Sequence, residues 1–181
     1  MKSPLRKIAT LVSLSLLALT GCAQATVSDT TATLSSGDKM FLEMMIPHHN
    51  QAVEMSHLAE KNTTNPEILA LAKLIDEEQH HEIDLMSQWL GTKGGHDHSH
   101  DDHQMDGMLS ADQMKELEQA KDAEFDRMFL EGMIVHHEGA IEMTQMVTSS
   151  DNPDVRNLAN SIIDSQTEQI RQMRELLESL N

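Results

Sequence analysis

The sequence predicts an all-α protein, an antiparallel four-helix bundle built from two copies of one helical hairpin. Three observations carry this. Apolar residues recur at helical spacing through four long stretches, and no stretch shows the two-residue alternation of a strand. One pattern occurs twice: residues 41–55 read FLEMMIPHHNQAVEM and residues 129–143 read FLEGMIVHHEGAIEM. A second segment follows each copy, NPEILALAKLIDEEQHHEIDLM at 65–86 and NPDVRNLANSIIDSQTEQIRQM at 152–173. Two helices per copy, each with one apolar stripe, bury those stripes best against one another.

The elements follow in order. Residues 1–21 read as an export signal: Lys2, Arg6 and Lys7 make a basic start, and Ile8 to Leu19 make an apolar run too short to span a bilayer. Leu19-Thr20-Gly21-Cys22 is similar to the bacterial lipoprotein signal box, which makes Cys22 the lipidated N-terminus. An ordinary signal peptide cut after Ala23 or Ala25 is the alternative. Small polar residues make 22–37 a flexible tether, so the bundle is expected over 38–181. The first helix is predicted from about Asp38 to Lys61. Asn62 to Asn65 form a turn, and Pro66 suits the first position of the second helix, which runs to about Leu90. Gly91, Gly94 and Gly95 stop it. Residues 91–109 form a linker without apolar period. Ser110 and Gln113 form a capping box for a short helix that bends near Lys121-Asp122. The third main helix covers about 123–148. Asp151-Asn152-Pro153 repeats the earlier turn, and the fourth helix runs to the C-terminus.

Composition narrows the functions. The signal contains three of the 13 basic residues and none of the 30 acidic ones, so the remaining part carries a net charge of −20. Nucleic acid is thereby an improbable partner, because binding it relies on Lys and Arg against phosphate. Cys22 is the only cysteine, which leaves no disulfide framework and, unless Cys22 stays unlipidated, no thiolate metal site. Methionine is abundant, with 14 residues against four aromatics. Met is a common core filler, but thioether and imidazole together are ligands for soft or borderline metals, copper above all.

Position separates the two roles. At about 100° per residue, Phe41, Met44, Ala52, Met55 and Ala59 fall close to His48, with Met45 somewhat further round. Phe129, Ala140, Met143 and Val147 fall beside His136, with Met133 near. A single His in an apolar stripe is usually a core residue. Here two equivalent His hold stripe centres, each with Met three residues before and seven after. His49 and His137 lie about 100° round, where they can ligate, cap a neighbour or face water. The second helix of each hairpin presents Gln79, Ile83 and Met86, matched by Gln166, Ile170 and Met173. Glu82 also points inward, where the other copy has Gln169. Buried polar groups need partners, and the imidazole N–H of a facing helix is one; Gln79 bonding to Gln166 or to water is the other. The bundle candidates are therefore Met44, Met45, His48, His49, Met55 and Met86, with Met133, His136, His137, Met143 and Met173. Pro47, inside the first helix, predicts a kink at the His pair.

The linker adds His96, His98, His100 and His103 between acidic residues. Such tracts bind Cu(II) or Zn(II), with an affinity that falls between about pH 7 and 5 because only neutral imidazole ligates.

At MIPHH, MIVHHEGAIEM and the NP…Q…I…M segments, about residues 38–180, the chain resembles a bacterial family long catalogued as a domain of unknown function, whose best-understood members are CopM-like periplasmic copper-binding proteins. The resemblance implies a ferritin-like bundle that binds copper, and silver as its mimic, through Met45, His48, His49 and Met55 and through Met133, His136, His137 and Met143; the soft thioethers favour Cu(I) there. Gly132 departs from the pattern, standing where the first copy has Met44. The expected function is an exported copper-binding protein, not an enzyme, that buffers, sequesters or delivers metal and contributes to copper resistance. Its partners are metal ions, copper-handling proteins of the cell envelope, and a membrane only through the lipid anchor. Periplasm or outer membrane is the expected location, with a soluble periplasmic or secreted form as the alternative. Two other readings compete: a di-iron or di-manganese carboxylate enzyme, which needs paired Glu-x-x-His motifs and finds Glu54…His57 and Glu78…His81, and a metal-free helical interaction protein.

Overall fold

The structure, a computed structural model, describes residues 33–92 and 105–180. The export signal, Cys22, and His96, His98, His100 and His103 lie outside the described residues. Within them the chain is helical: α1 (Ser36–Asn62), α2 (Pro66–Leu90), α3 (Ala111–Gln119), α4 (Asp122–Thr144) and α5 (Pro153–Ser179). No described helix is long and apolar enough to cross a membrane.

Local chemistry sets the ends. Ser35 caps α1 in a reciprocal box with Asp38, so the helix starts two residues before the expected position. The two hairpin turns are built alike. Asn65 and Asn152 accept from the first backbone N–H groups of α2 and α5, and a proline follows each. Thr63 and Ser150 hydroxyls accept from the N–H of those asparagines. Each turn also reaches the opposite hairpin. Ser150 donates to Asp38 at 2.6 Å, and Asn65 donates to Asp126, the repeat equivalent of Asp38, at 2.9 Å.

α4 ends at Thr144 rather than near 148. The Thr144 hydroxyl donates to the Ile141 carbonyl, and the next N–H groups bond three residues back, a tighter winding than the α-helix. The expected bend near Lys121 is a full break between α3 and α4, where Ala120 and Lys121 are extended. Asn62 at the end of α1 seals that break by donating to the carbonyls of Leu117 and Glu118. α1 is not interrupted at Pro47, which faces outward.

The core divides in two along the bundle. One cluster joins the first half of α1 to the last turns of α2 and α4 and to the start of α5, with Phe41, Met45, Met86, Met143 and Ile162 at its centre. The other joins the second half of α1 to the start of α2 and α4 and to the end of α5, with Met55, Ile75, Phe129, Met133 and Met173. Neighbouring helices within each hairpin, and α1 with α4, therefore run antiparallel. α2 and α4 run parallel, so the connection between them must return along the bundle, the single-crossover form of the ferritin-like fold. Met55, Met133 and Met173 in one cluster map onto Met143, Met45 and Met86 in the other when the repeats are exchanged. Met44 is only half-buried while Met45 is fully buried, which corrects the expected order. α1 packs against both α2 and α4, so its buried face is wide and centred between His48 and His49.

The described end of the linker is strapped to the bundle. Gln51 donates to the Leu109 carbonyl at 2.9 Å and accepts from its N–H at 2.7 Å. Gly107 takes a left-handed φ of 88° and lies against Gly139. A Cβ on Gly139 would sit 2.2 Å from the Asp106 carbonyl oxygen, and one on Gly132 would press on Leu109 and Met55. Gly132 thus replaces Met44 of the first copy because the strap crosses only one of the two equivalent faces. Gly139→Ala is expected to push the strap away and lower stability by about 1–3 kcal/mol. Gly37→Ala, which meets only the Ser35 hydroxyl at 3.8 Å, should leave stability unchanged or slightly raised. Urea denaturation of the two variants checks the contrast.

Candidate metal centre

Between the two apolar clusters lies a band of polar side chains, one set on each long helix. α1 contributes His48 and His49, α4 His136 and His137, α2 Gln79 and Glu82, and α5 Gln166 and Gln169. All four histidines are 0% exposed. The His48 and His136 rings are 3.9 Å apart between centroids. His48 stands 6.5 Å from His49, and His136 stands 6.3 Å from His137, both pairs at the same 57° tilt.

Each imidazole is held through one nitrogen. His136 Nε2 donates to the His48 carbonyl at 2.9 Å, and His48 Nε2 donates to the Asp106 carbonyl of the strap at 3.2 Å. His49 Nε2 donates to Glu82 at 2.7 Å, and His137 Nε2 donates to the Gln169 carbonyl oxygen at 2.6 Å. Gln169 in turn donates to Glu78 at 2.6 Å, which orients its amide. With an acceptor at every Nε2, a neutral ring carries its proton there and leaves the Nδ1 lone pair free. None of the four Nδ1 atoms has a hydrogen-bond partner among the described residues, and neither do the amides of Gln79 and Gln166.

The expected positions resolve as follows. His49 and His137 are neither wet nor marginal; they are buried and hydrogen-bonded. Their partners are Glu82 and Gln169, not Gln79 or Gln166, which bond neither an imidazole nor each other. Met45, Met55, Met86, Met133 and Met173 are 0% exposed and Met143 is 7% exposed. The strap carbonyl of Asp106 and the role of Glu78 behind Gln169 escaped the sequence reading. Gly139, where the first copy has Gln51, is the one signal that could have pointed to the strap.

Burial keeps three of these imidazoles, those of His48, His136 and His137, neutral. Desolvation, with the neighbouring His49, lowers His48 to about 3. His137 falls to about 4, again chiefly by desolvation, although its bond to Gln169 opposes the shift. His136 lies well below the usual range through desolvation and its proximity to His48. Desolvation raises Glu78, and nearby Glu82 adds to the rise. Among the described residues, no three His, Cys, Asp or Glu side chains converge as a metal site. A metal in this band would therefore draw on thioethers as well as imidazoles. Unpartnered imidazole lone pairs, each backed by an oriented Nε2–H, between two sets of three buried Met are a donor set that fits Cu(I) or Ag(I).

Residues 38–177 match a family described as a domain of unknown function, DUF305. The chain belongs to this family. DUF305 structures share its fold: a fragment from Deinococcus radiodurans has a TM-score of 0.72 at 28% identity, covering 80% of this chain and 97% of that one. A DUF305 protein from Streptomyces coelicolor, provisionally called a secreted protein, gives the same score and identity over 80% and 94%. CopM in its Cu(II)-bound form is 31% identical, with a TM-score of 0.67 over 80% of this chain and 97% of CopM. CopM is also similar in its Cu(I)-bound form, at 31% identity and a TM-score of 0.63 over 78% and 96%. No curated protein matches the sequence.

The neutral histidines give this DUF305 bundle a defined acid response. Unfolded histidine titrates near 6.5, whereas in the fold His48 and His137 are lowered to about 3 and about 4, and His136 also lies well below 6.5. The unfolded chain therefore binds more protons throughout that window. The histidine contribution is complete above about pH 6.5 and is lost as pH falls towards the folded values. Urea midpoints of the metal-free protein, measured from pH 7.5 to 5, should decline. Changing His48 and His136 to Asn should flatten the decline.

Proposed function

We propose that this is an exported copper-binding protein that buffers, sequesters or delivers copper, with silver as a mimic, and so contributes to copper resistance. The observation that carries the reading is the set of four buried imidazoles whose Nδ1 atoms have no hydrogen-bond partner among the described residues, lying between two Met clusters. A merely structural histidine would use both nitrogens or face water. CopM, similar over the whole bundle, has been solved with Cu(I), Cu(II) and silver bound, which supports the choice of metal. In this reading Met45, Met55, Met86, Met133, Met143 and Met173 supply thioethers, and His48, His49, His136 and His137 supply imidazoles. His96, His98, His100 and His103 form a separate Cu(II) or Zn(II) site that gathers metal outside the bundle. Cys22 carries the lipid that holds the protein in the periplasm or outer membrane. The role is binding without catalysis, since the described band offers ligands but no nucleophile with a base.

The carboxylate-enzyme reading has little left to support it. Glu54, His57 and His81 are exposed and Glu78 is half-buried, so neither Glu-x-x-His motif faces the interior. His57 instead meets Asp76 on the surface at 3.1 Å.

Competition against a Cu(I) chelator tests the function. Changing Met45, Met55, Met133 and Met143 together to Leu roughly preserves core volume, at less than about 1.5 kcal/mol per site, but removes the thioethers. The folded variant should lose the tightest Cu(I) component, as should His48→Ala with His136→Ala. Unchanged Cu(I) affinity in both variants would make the band a packing feature.

A further inference from the structure

The two halves of the polar band are equivalent in position but not in charge. On α1, His49 Nε2 donates to the Glu82 carboxylate at 2.7 Å. On α4, His137 Nε2 donates to the amide oxygen of Gln169 at 2.6 Å. Glu82 and Gln169 occupy the same place in the repeat, so the chain has put an anion behind one imidazole and a neutral dipole behind the other. The difference is sheltered from water: His49 is fully buried, and the Glu82 side chain is 12% exposed. The His137 half has a carboxylate only at one remove, because Gln169 stands between the imidazole and Glu78.

A carboxylate on the outer N–H of an imidazole raises the donor strength of the other nitrogen and adds a negative charge behind the ligand. That charge attracts a dication twice as strongly as a monocation at the same place. An amide gives the same hydrogen bond and the same ring orientation without the charge. We propose that Glu82 sets the charge preference of the band: the His49 half favours divalent copper, and the His137 half favours Cu(I) or Ag(I). Glu82 is then a positioning and specificity residue acting through His49. The inference rests on the copper-binding function proposed above.

The test uses the full chain with His96, His98, His100 and His103 changed to Asn, so that the linker does not contribute to the reading. Affinity for Cu(II) and Cu(I) is measured separately by chelator competition, and the Cu(II)/Cu(I) potential by titration. Glu82→Gln keeps an acceptor for His49 and should leave the fold intact, as a circular-dichroism melt would register. It should weaken Cu(II) by about 10–100-fold and Cu(I) or Ag(I) by only about 3–10-fold, because the charge acts half as strongly on a monocation. At 59 mV per tenfold of the ratio between the two losses, this raises the potential by about 30–60 mV. Gln169→Glu should strengthen Cu(II), and the double exchange should restore the original balance. Equal loss for both ions in Glu82→Gln, or no change in either, overturns the assignment while leaving copper binding in place. Absence of Cu(II) binding in the parent bundle also overturns it. Absence of both ions there would instead overturn the copper function itself.

Discussion

Four imidazoles are buried at the middle of a helical bundle, each tied to an oxygen through Nε2. The rest of the structure depends on that arrangement. A neutral imidazole removed from water must satisfy one donor and one acceptor. Here the donors are satisfied by a backbone carbonyl of α1, a carbonyl of the strap, a carboxylate of α2 and an amide of α5. The acceptors are left over. The two apolar clusters on either side supply the hydrophobic burial that makes such a band tolerable. They also bring three Met each to the same region. The fold spends stability on a band of incompletely bonded polar atoms, which is the usual condition of a site shaped for a ligand.

The internal repeat explains most of this architecture, and the departures from it explain the remainder. Asp38 and Asp126, Thr63 and Ser150, Asn65 and Asn152, and the two Met sets all correspond. The strap breaks the symmetry. It crosses the α4 face, where Gly132 and Gly139 make room, and is held from α1 by Gln51. Through Asp106 it gives His48 a hydrogen-bond partner that repeat symmetry alone does not supply. The His-rich linker therefore ends against the buried band, and the two candidate metal regions are joined by one short stretch of chain.

Much of this was legible in the residues alone. Apolar spacing located the four long helices, Ser35 aside, and the Asn-Pro pairs located both turns. The His-Met stripes identified the band because each helix repeats the same spacing. What escaped detection did so for physical reasons. His49 and His137 appeared marginal because a single helical stripe is narrower than the face of a helix packed against two neighbours. Glu82 and Gln169 were seen to point inward, yet sequence cannot tell which inward polar group meets which ring. The strap has no periodicity, and a backbone carbonyl as a partner leaves no trace in residue type except glycine where the chains touch. The early end of α4 reflects a Thr144 hydroxyl that takes up the Ile141 carbonyl, a local competition that helical propensity does not register.

The central claim is that Nδ1 of His48, His49, His136 and His137 is the coordinating atom and Nε2 the anchoring one. Long-range proton–nitrogen correlation NMR on the metal-free protein, followed by titration with Ag(I), reads both nitrogens of each ring. The account predicts four rings protonated at Nε2 and not at Nδ1, and Nδ1 resonances that move on adding silver while the Nε2 protons remain. Rings protonated at Nδ1, or Nδ1 resonances indifferent to silver, would contradict it.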